Sequence, residues 1–117
     1  MENKDLLELI KTVTETNQQY FKDRLNFTDY SLEKMEDRGV NQDLVIDLIL
    51  TKQPYYAQKQ KVILKGKEET RYKLIYKISS KYSIIIVISY AEKDLNIINV
   101  IKTSKKAEKL WRKNLSK

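Results

Sequence analysis

Apolar residues recur every three or four positions in the first half of this chain and alternate with polar ones in much of the second half. The first pattern predicts amphipathic helices and the second predicts half-buried strands. A helix is predicted from about Asn3 to Arg24, since no Gly or Pro interrupts it, although polar Asn17 falls among its apolar positions. Its apolar positions are Leu6, Leu9, Ile10, Val13, Tyr20 and Phe21. Packing on the sheet and packing on a dimer partner both remain open as its role.

A short helix with clear ends is predicted between Phe27 and Val40. Thr28 has the position of an N-cap, and Phe27 and Leu32 have the spacing of a hydrophobic staple around it. Gly39 stands where a left-handed residue commonly ends a helix. Asn41 then caps a second apolar helix, which Pro54 closes.

From Tyr55 onward the period changes to two. Residues 58–65 and 70–78 are predicted to form a hairpin joined by residues 66–69. Residues 82–90 are apolar and β-branched without a break, which predicts a central strand buried on both faces. A further strand is predicted at 95–102, and a basic helix from Thr103 or Ser104 to the end.

The predicted fold class is therefore α+β, with N-terminal helices packed on one face of an antiparallel sheet of about four strands and a basic C-terminal helix. The 117 residues suit one domain with one core. Within it, residues 1–26 form the N-terminal helix, 27–102 the core and 103–117 the C-terminal helix.

Two residue types that serve many active sites are missing. The chain has no Cys and no His, which excludes disulfides, thiolate zinc sites and His-based catalytic triads. No Gly-rich phosphate loop is present, and the acidic residues have no spacing that dictates convergence, so neither a cofactor nor a metal site is predicted. The longest apolar run, Ile84–Ile88, is far too short to span a membrane and no signal peptide is evident. We therefore expect a cytoplasmic protein without a membrane partner.

Positive charge is concentrated in the second half of the chain. Residues 1–54 hold 7 Lys and Arg against 11 Asp and Glu, whereas residues 55–117 hold 16 against 5. Cations neutralise phosphates and aromatic rings stack on unpaired bases, so this half suits single-stranded nucleic acid, although strand packing would also explain most of its tyrosines. The predicted nucleic-acid-binding residues are Lys73, Lys77, Lys102, Lys105, Lys106 and Arg112.

The short helix after Phe27 also carries Tyr30, Lys34 and Arg38 at four-residue spacing, which could simply be a solvated face. Together with Gly39 and Val40, these residues resemble the signature of a small, largely uncharacterised prokaryotic domain family. In that signature a His is followed four residues later by Arg, and four after that by Arg-Gly and an aliphatic residue. Tyr30 stands where the family has His, and Lys34 where it has its first Arg.

The resemblance, which extends in layout over roughly 27–102, implies a function on RNA. The family is grouped distantly with RelE-like toxins of the barnase, colicin and RelE superfold, which are small ribonucleases. The predicted catalytic set is Arg38 with Lys34 and Tyr30 beside it, as the resemblance implies, and Arg71, a strand cation of the basic half, across from it on the sheet. A structural alternative is that Arg38 ends its helix and pairs with Asp37 or Asp43.

Two classes of function remain open from the sequence. The first is a RelE-like, toxin-type protein that acts on RNA as a histidine-free endoribonuclease, with an acidic antitoxin-like protein as its partner. The second is a non-catalytic interaction protein whose basic half binds nucleic acid or an acidic protein.

Overall fold

A computed structural model describes residues 3–104 of the chain. Within these residues, three α-helices, a short 3-10 helix at Lys22–Arg24 and five strands form one α+β unit. The helices are α1 (Asn3–Asn17), α2 (Asp29–Arg38) and α3 (Gln42–Thr51), and the strands are β1 (Leu25–Phe27), β2 (Tyr56–Leu64), β3 (Lys67–Lys77), β4 (Tyr82–Tyr90) and β5 (Leu95–Ser104).

The five strands form one mixed sheet in the order β1-β5-β4-β3-β2. The four strands of the second half form the predicted antiparallel meander. The prediction of a wholly antiparallel sheet was wrong, because β1 joins β5 in parallel, with Leu25 opposite Leu95 and Phe27 opposite Ile97. A three-residue strand has too few positions for alternation to reveal it, and its partner lies about 70 residues away.

The helices pack on one face of the sheet, as predicted, and enclose the main core. Cross-strand pairing aligns Leu74, Ile86 and Val100 on this face, and all three are fully buried. Ile10 and Val13 from α1, Met35 from α2 and three residues of α3 complete the core. Packing on the sheet is thus the observed role of α1.

Helix α1 ends at Asn17 and not near Arg24 as predicted. Asn17 is buried, and its Oδ1 accepts a 2.6 Å hydrogen bond from the Tyr90 hydroxyl of β4. The chain then turns so that the Tyr20 ring stacks on Tyr90, with 5.9 Å between the ring centres. A tertiary contact therefore ends the helix where local periodicity continues.

The predicted ends of α2 and α3 are confirmed. Thr28 Oγ1 accepts a hydrogen bond from the Ser31 amide, and Gly39 has the left-handed φ of 64°. Asn41 Oδ1 likewise accepts from the Asp43 amide at the start of α3. These local contacts fix the direction in which α2 leaves β1.

The hairpin between β2 and β3 is tighter than predicted. Lys65 and Gly66 both have positive φ, 52° and 77°, and they alone form the loop. Two left-handed central residues match the right-handed twist of paired strands, so residues 67–69 continue as strand. Residues 61–70 form a hairpin arm that lies beyond the region where β3 pairs with β4. The β3–β4 pair nearest to this arm is Tyr72 with Ile88.

Strand β5 also departs from the prediction at its end. It includes Thr103 and Ser104, which were assigned to the C-terminal helix. The rest of that predicted helix lies outside the described residues.

Strand β4 is buried from Ser83 to Ser89, which confirms a central strand buried on both faces. Within residues 3–104, no helix has both the length and the apolar character needed to cross a membrane.

Candidate functional site

The face of the sheet that points away from the helices is divided into an apolar end and a polar end. Residues that pair across strands share a face, so the register identifies its rows. One row is entirely apolar and forms a second buried cluster: Tyr56, Ile75, Ile85 and Ile101. Ile85 in this row belongs to the strand that the sequence predicted to be buried on both faces.

The next two rows are mostly polar. Gln58, Lys73, Val87 and Asn99 align across four strands, and Gln60 lies opposite Arg71 in the row beyond. Lys73 and Arg71 are two residues apart on one face of β3, or about 7 Å along the strand. The register therefore places two cations and several amide groups side by side.

A groove of about 510 Å³ lies over this polar end. Val87 and Ile98 supply apolar surface, Arg71 and Lys73 supply charge, and Tyr30 reaches the groove from the first turn of α2. The groove is lined by Thr28, Tyr30, Gln60, Val62, Arg71, Lys73, Val87, Ile98 and Asn99. Tyr30 and Arg71, predicted as catalytic, and Lys73, predicted to bind nucleic acid, thus line a single groove.

A β-bulge in β5 explains why two adjacent residues reach the groove. Val87 pairs with Asn99 and Ile88 pairs with Ile97, so Ile98 is the extra residue. A bulge brings two consecutive residues opposite one partner and bends the strand. Ile98 and Asn99 consequently line the same groove, whereas strict alternation would put one of them on the other face.

The electrostatics of the groove are set by Arg71, Lys73 and an acidic neighbour. Arg71 Nε donates to Glu69 Oε2 at 2.8 Å, and both side chains are partly buried. This ion pair orients the guanidinium. Burial lowers the pKa of Lys73, since a low-dielectric surrounding disfavours the ammonium form.

Tyr30 stands at the rim of the groove with its side chain half exposed, at 52%. The Lys34 ammonium lies 5.4 Å from the centre of the Tyr30 ring, within the range of a cation–π contact. Four-residue spacing on α2 produces this contact, as the sequence implied. Lys34 therefore adds positive charge at the rim without lining the groove itself.

Arg38 is half-buried, and its side chain is hydrogen-bonded to strand β5. Its Nη1 donates to Asn99 Oδ1 at 3.2 Å and to the Val100 backbone carbonyl. These bonds attach the last turn of α2 to β5 beyond the end of β1. The structural alternative named Asp37 or Asp43 as the partner of Arg38, and the observed acceptors are Asn99 and Val100 instead. Arg38 supports the groove through Asn99 and does not line it.

The remaining predicted cations are separated from the groove. Lys77 lies beyond the apolar row, four residues or about 13 Å along β3 from Lys73, and its ammonium is 5.0 Å from the Tyr55 ring centre. Lys102 pairs across strands with Ile84, which places it on the helix-covered face, where it lies 4.6 Å from the Tyr82 ring centre. Lys105, Lys106 and Arg112 lie outside the described residues.

Three of the tyrosines considered for base stacking belong to the helix-covered face. Tyr76 is in the core, and Tyr72 and Tyr90 pack against it with 5.3 Å between their ring centres. Burial raises the pKa of Tyr76 and of Tyr90, and neighbouring tyrosines raise that of Tyr90 further. These two hydroxyls stay protonated, so neither can serve as a proton acceptor near neutral pH.

Sequence reasoning did not select several groove residues. Gln60 and Val87 could have been assigned to this face from the alternation of their strands. Thr28 was noted only as a helix cap, and the bulge that positions Ile98 and Asn99 has no signal in the sequence.

Comparison with protein-family models, curated proteins and solved structures finds no match for this chain. Within residues 3–104, no group of three or more acidic side chains is arranged to hold a metal ion. The polar side chains that line the groove are those of Thr28, Tyr30, Gln60, Arg71, Lys73 and Asn99.

Proposed function

We propose that this protein binds single-stranded RNA in the groove at the polar end of the second sheet face. The observation that carries the proposal is the meeting of exposed Tyr30 with Arg71 and Lys73 over an apolar floor. Cations that contact phosphates, together with an aromatic ring for stacking, are what single-strand binding requires. RNA is favoured as the nucleic acid because α2 resembles the signature of a small domain family that is grouped distantly with RelE-like ribonucleases.

Binding to this groove is tested by fluorescence anisotropy with a labelled single-stranded RNA over a range of salt concentrations. The test variant is Arg71→Ala with Lys73→Ala, and the matched control is Lys11→Ala with Lys102→Ala, which removes the same charge from other surfaces. We expect the test variant to bind at least about tenfold more weakly. Its plot of log affinity against log salt should be shallower by about 1.4, because two phosphate contacts are lost at about 0.7 each.

Equal losses in the two double variants would contradict the proposal, since net charge alone would then explain binding. Circular dichroism of both variants separates this outcome from misfolding. Competition with a duplex of the same sequence tests the preference for single strands.

Cleavage of the bound RNA is a second candidate, and one observation favours it: the lowered pKa of Lys73 in the same groove as Arg71. The deprotonated fraction of Lys73, which a lowered pKa increases, would take the proton of a 2′-hydroxyl as that oxygen attacks phosphorus. The leaving 5′-oxygen then takes a proton from solvent or from the Tyr30 hydroxyl, and Arg71 stabilises the charge on the phosphate. This would make the protein a histidine-free, toxin-type endoribonuclease.

Lys73→Arg separates the two candidates, because Arg keeps the charge for binding but does not give up its proton. A nuclease should lose RNA cleavage in this variant and keep RNA affinity. If the unmodified protein binds RNA and leaves it intact, the binding function stands alone. Growth arrest on expression in bacteria, relieved by Lys73→Arg, would support the toxin-type function in cells.

A further inference from the structure

Strand β2 forms one edge of the sheet, and much of that edge has no backbone partner within the described residues. β2 pairs only with β3, on its inner side. Between residues 3 and 104, no backbone hydrogen bond outside the regular elements involves residues 58–64. Leu6 of α1 packs near Tyr56, at the start of the strand. Over about seven residues, or roughly 20 Å, every second residue therefore points its backbone N–H and C=O away from β3.

The part of β2 in the hairpin arm exposes two large apolar side chains at the edge of the sheet. Ile63 is 76% exposed and the next residue, Leu64, is 46% exposed. Natural edges are usually protected by charge, a bulge or shortness, because an open, flat and apolar edge accepts another strand. Lys59 and Lys61 supply protective charge in the middle of β2. Ile63, farther along the arm, is an exposed apolar residue.

The charge of the edge is positive. Lys59 and Lys61 are exposed, and Lys65 follows at the turn. Glu68 lies 3.3 Å from Lys61, but both side chains are more than half exposed, so this pair neutralises the edge only weakly. A strand added to β2 would place its alternate side chains beside Lys59 and Lys61.

We propose that the outer edge of β2 binds an extended segment of an acidic partner protein, which adds to the sheet as a sixth strand. Backbone pairing supplies affinity in this mode of recognition, and alternate side chains supply specificity. Acidic residues of the segment would face Lys59 and Lys61, and an apolar residue would cover Ile63. A second copy of the chain fits less well, because two antiparallel β2 strands would bring their lysines together and like charges across a pair are destabilising.

The edge is distinct from the groove, so the two proposals fail independently. Lys59 lies opposite Tyr72 and shares the face that carries the helices, whereas the groove lies on the other face. A partner strand on β2 would sit beside groove residues Gln60 and Val62 without replacing Arg71 or Lys73. RNA affinity therefore has no bearing on whether the edge binds a strand.

The experiment uses the full chain and two labelled synthetic peptides of about ten residues. One alternates Glu with Val, and the matched peptide alternates Lys with Val. Binding is measured by anisotropy, and hydrogen exchange by NMR locates the protected amides. The protein variants are Lys59→Glu with Lys61→Glu, and the matched control Lys11→Glu with Lys102→Glu.

We expect the acidic peptide to bind the unmodified protein at least about tenfold more tightly than the basic peptide, and to slow exchange of amides between Lys59 and Leu64. The Lys59→Glu, Lys61→Glu variant should reverse this preference, and the control should keep it. The proposal is overturned if the acidic peptide does not bind, if it binds without protecting these amides, or if both variants lose it equally. Concentration-dependent protection of the same amides without peptide would identify a second copy as the occupant, and would overturn it as well.

Discussion

Replacing Arg38 with Lys tests whether the α2 motif is part of the RNA site or supports it. The Arg38 guanidinium holds two acceptors, Asn99 Oδ1 and the Val100 carbonyl, from a half-buried position. Lys keeps the positive charge at the C-terminal end of the helix, where the helix dipole stabilises a cation. Both bonds come from the terminal Nη1, and the Lys ammonium sits on a side chain one bond shorter, so we expect it to keep only one of the two acceptors.

The magnitude follows from the hydrogen bonds that are lost. Bonds to a charged donor contribute roughly 1.5–3 kcal/mol when buried, and partial exposure reduces this. Losing one of the two should cost about 1 kcal/mol, which corresponds to a fall in Tm of about 4 °C for a domain of this size. Arg38→Met loses both bonds and the charge, so it should cost roughly 2–3 kcal/mol. Asn99 Oδ1 keeps its bond from the Val100 amide in either variant, which limits the loss.

Urea denaturation and anisotropy on the same samples provide the two measurements. We expect stability to fall in the order wild type, Arg38→Lys, Arg38→Met, while RNA affinity of the folded Arg38→Lys protein stays within about twofold of wild type. Unchanged stability with a loss of RNA affinity of about tenfold or more would refute this reasoning. Arg38 would then contact RNA directly, as the resemblance implies.

Three other predictions concern the core, a buried hydrogen bond and pH. Ile86→Ala should lower the free energy of unfolding by roughly 2–5 kcal/mol, because Ile86 is fully buried in the central strand; denaturant unfolding measures this. Tyr90→Phe leaves Asn17 Oδ1 without its donor in the core and should cost about 1–3 kcal/mol, visible as a lower Tm. Burial places the pKa of Lys73 below its usual 10.5, so affinity for a hydrolysis-resistant 2′-O-methyl RNA should decline as pH rises toward the lowered value, and Lys73→Arg should remove that decline. The unfolded chain holds this proton more tightly, so Lys73 should make folding more favourable as pH rises from the lowered pKa to 10.5.

The sequence determined the elements whose causes are local. The caps at Thr28 and Asn41 and the left-handed Gly39 depend on a few consecutive residues, and all three were predicted. The β-branched run of β4 specified a strand buried on both faces, and alternation in β3 separated core residues such as Leu74 from Arg71 and Lys73. These patterns survive in the fold because one face of each element must be buried whatever its neighbours are.

The tertiary structure decided what depends on partners distant in the chain. Strand β1 forms because Leu25–Phe27 pairs with β5, and α1 ends where Asn17 accepts a hydrogen bond from Tyr90. The groove depends on two such events: the bulge that turns Ile98 and Asn99 to one face, and the path of α2 along β5 that brings Tyr30 toward Arg71. Periodicity reports which side of an element is buried but not which element covers it. Cross-strand register therefore selected Lys73 for the groove and left Lys77 and Lys102 outside it, although all three are lysines on strands of the same sheet.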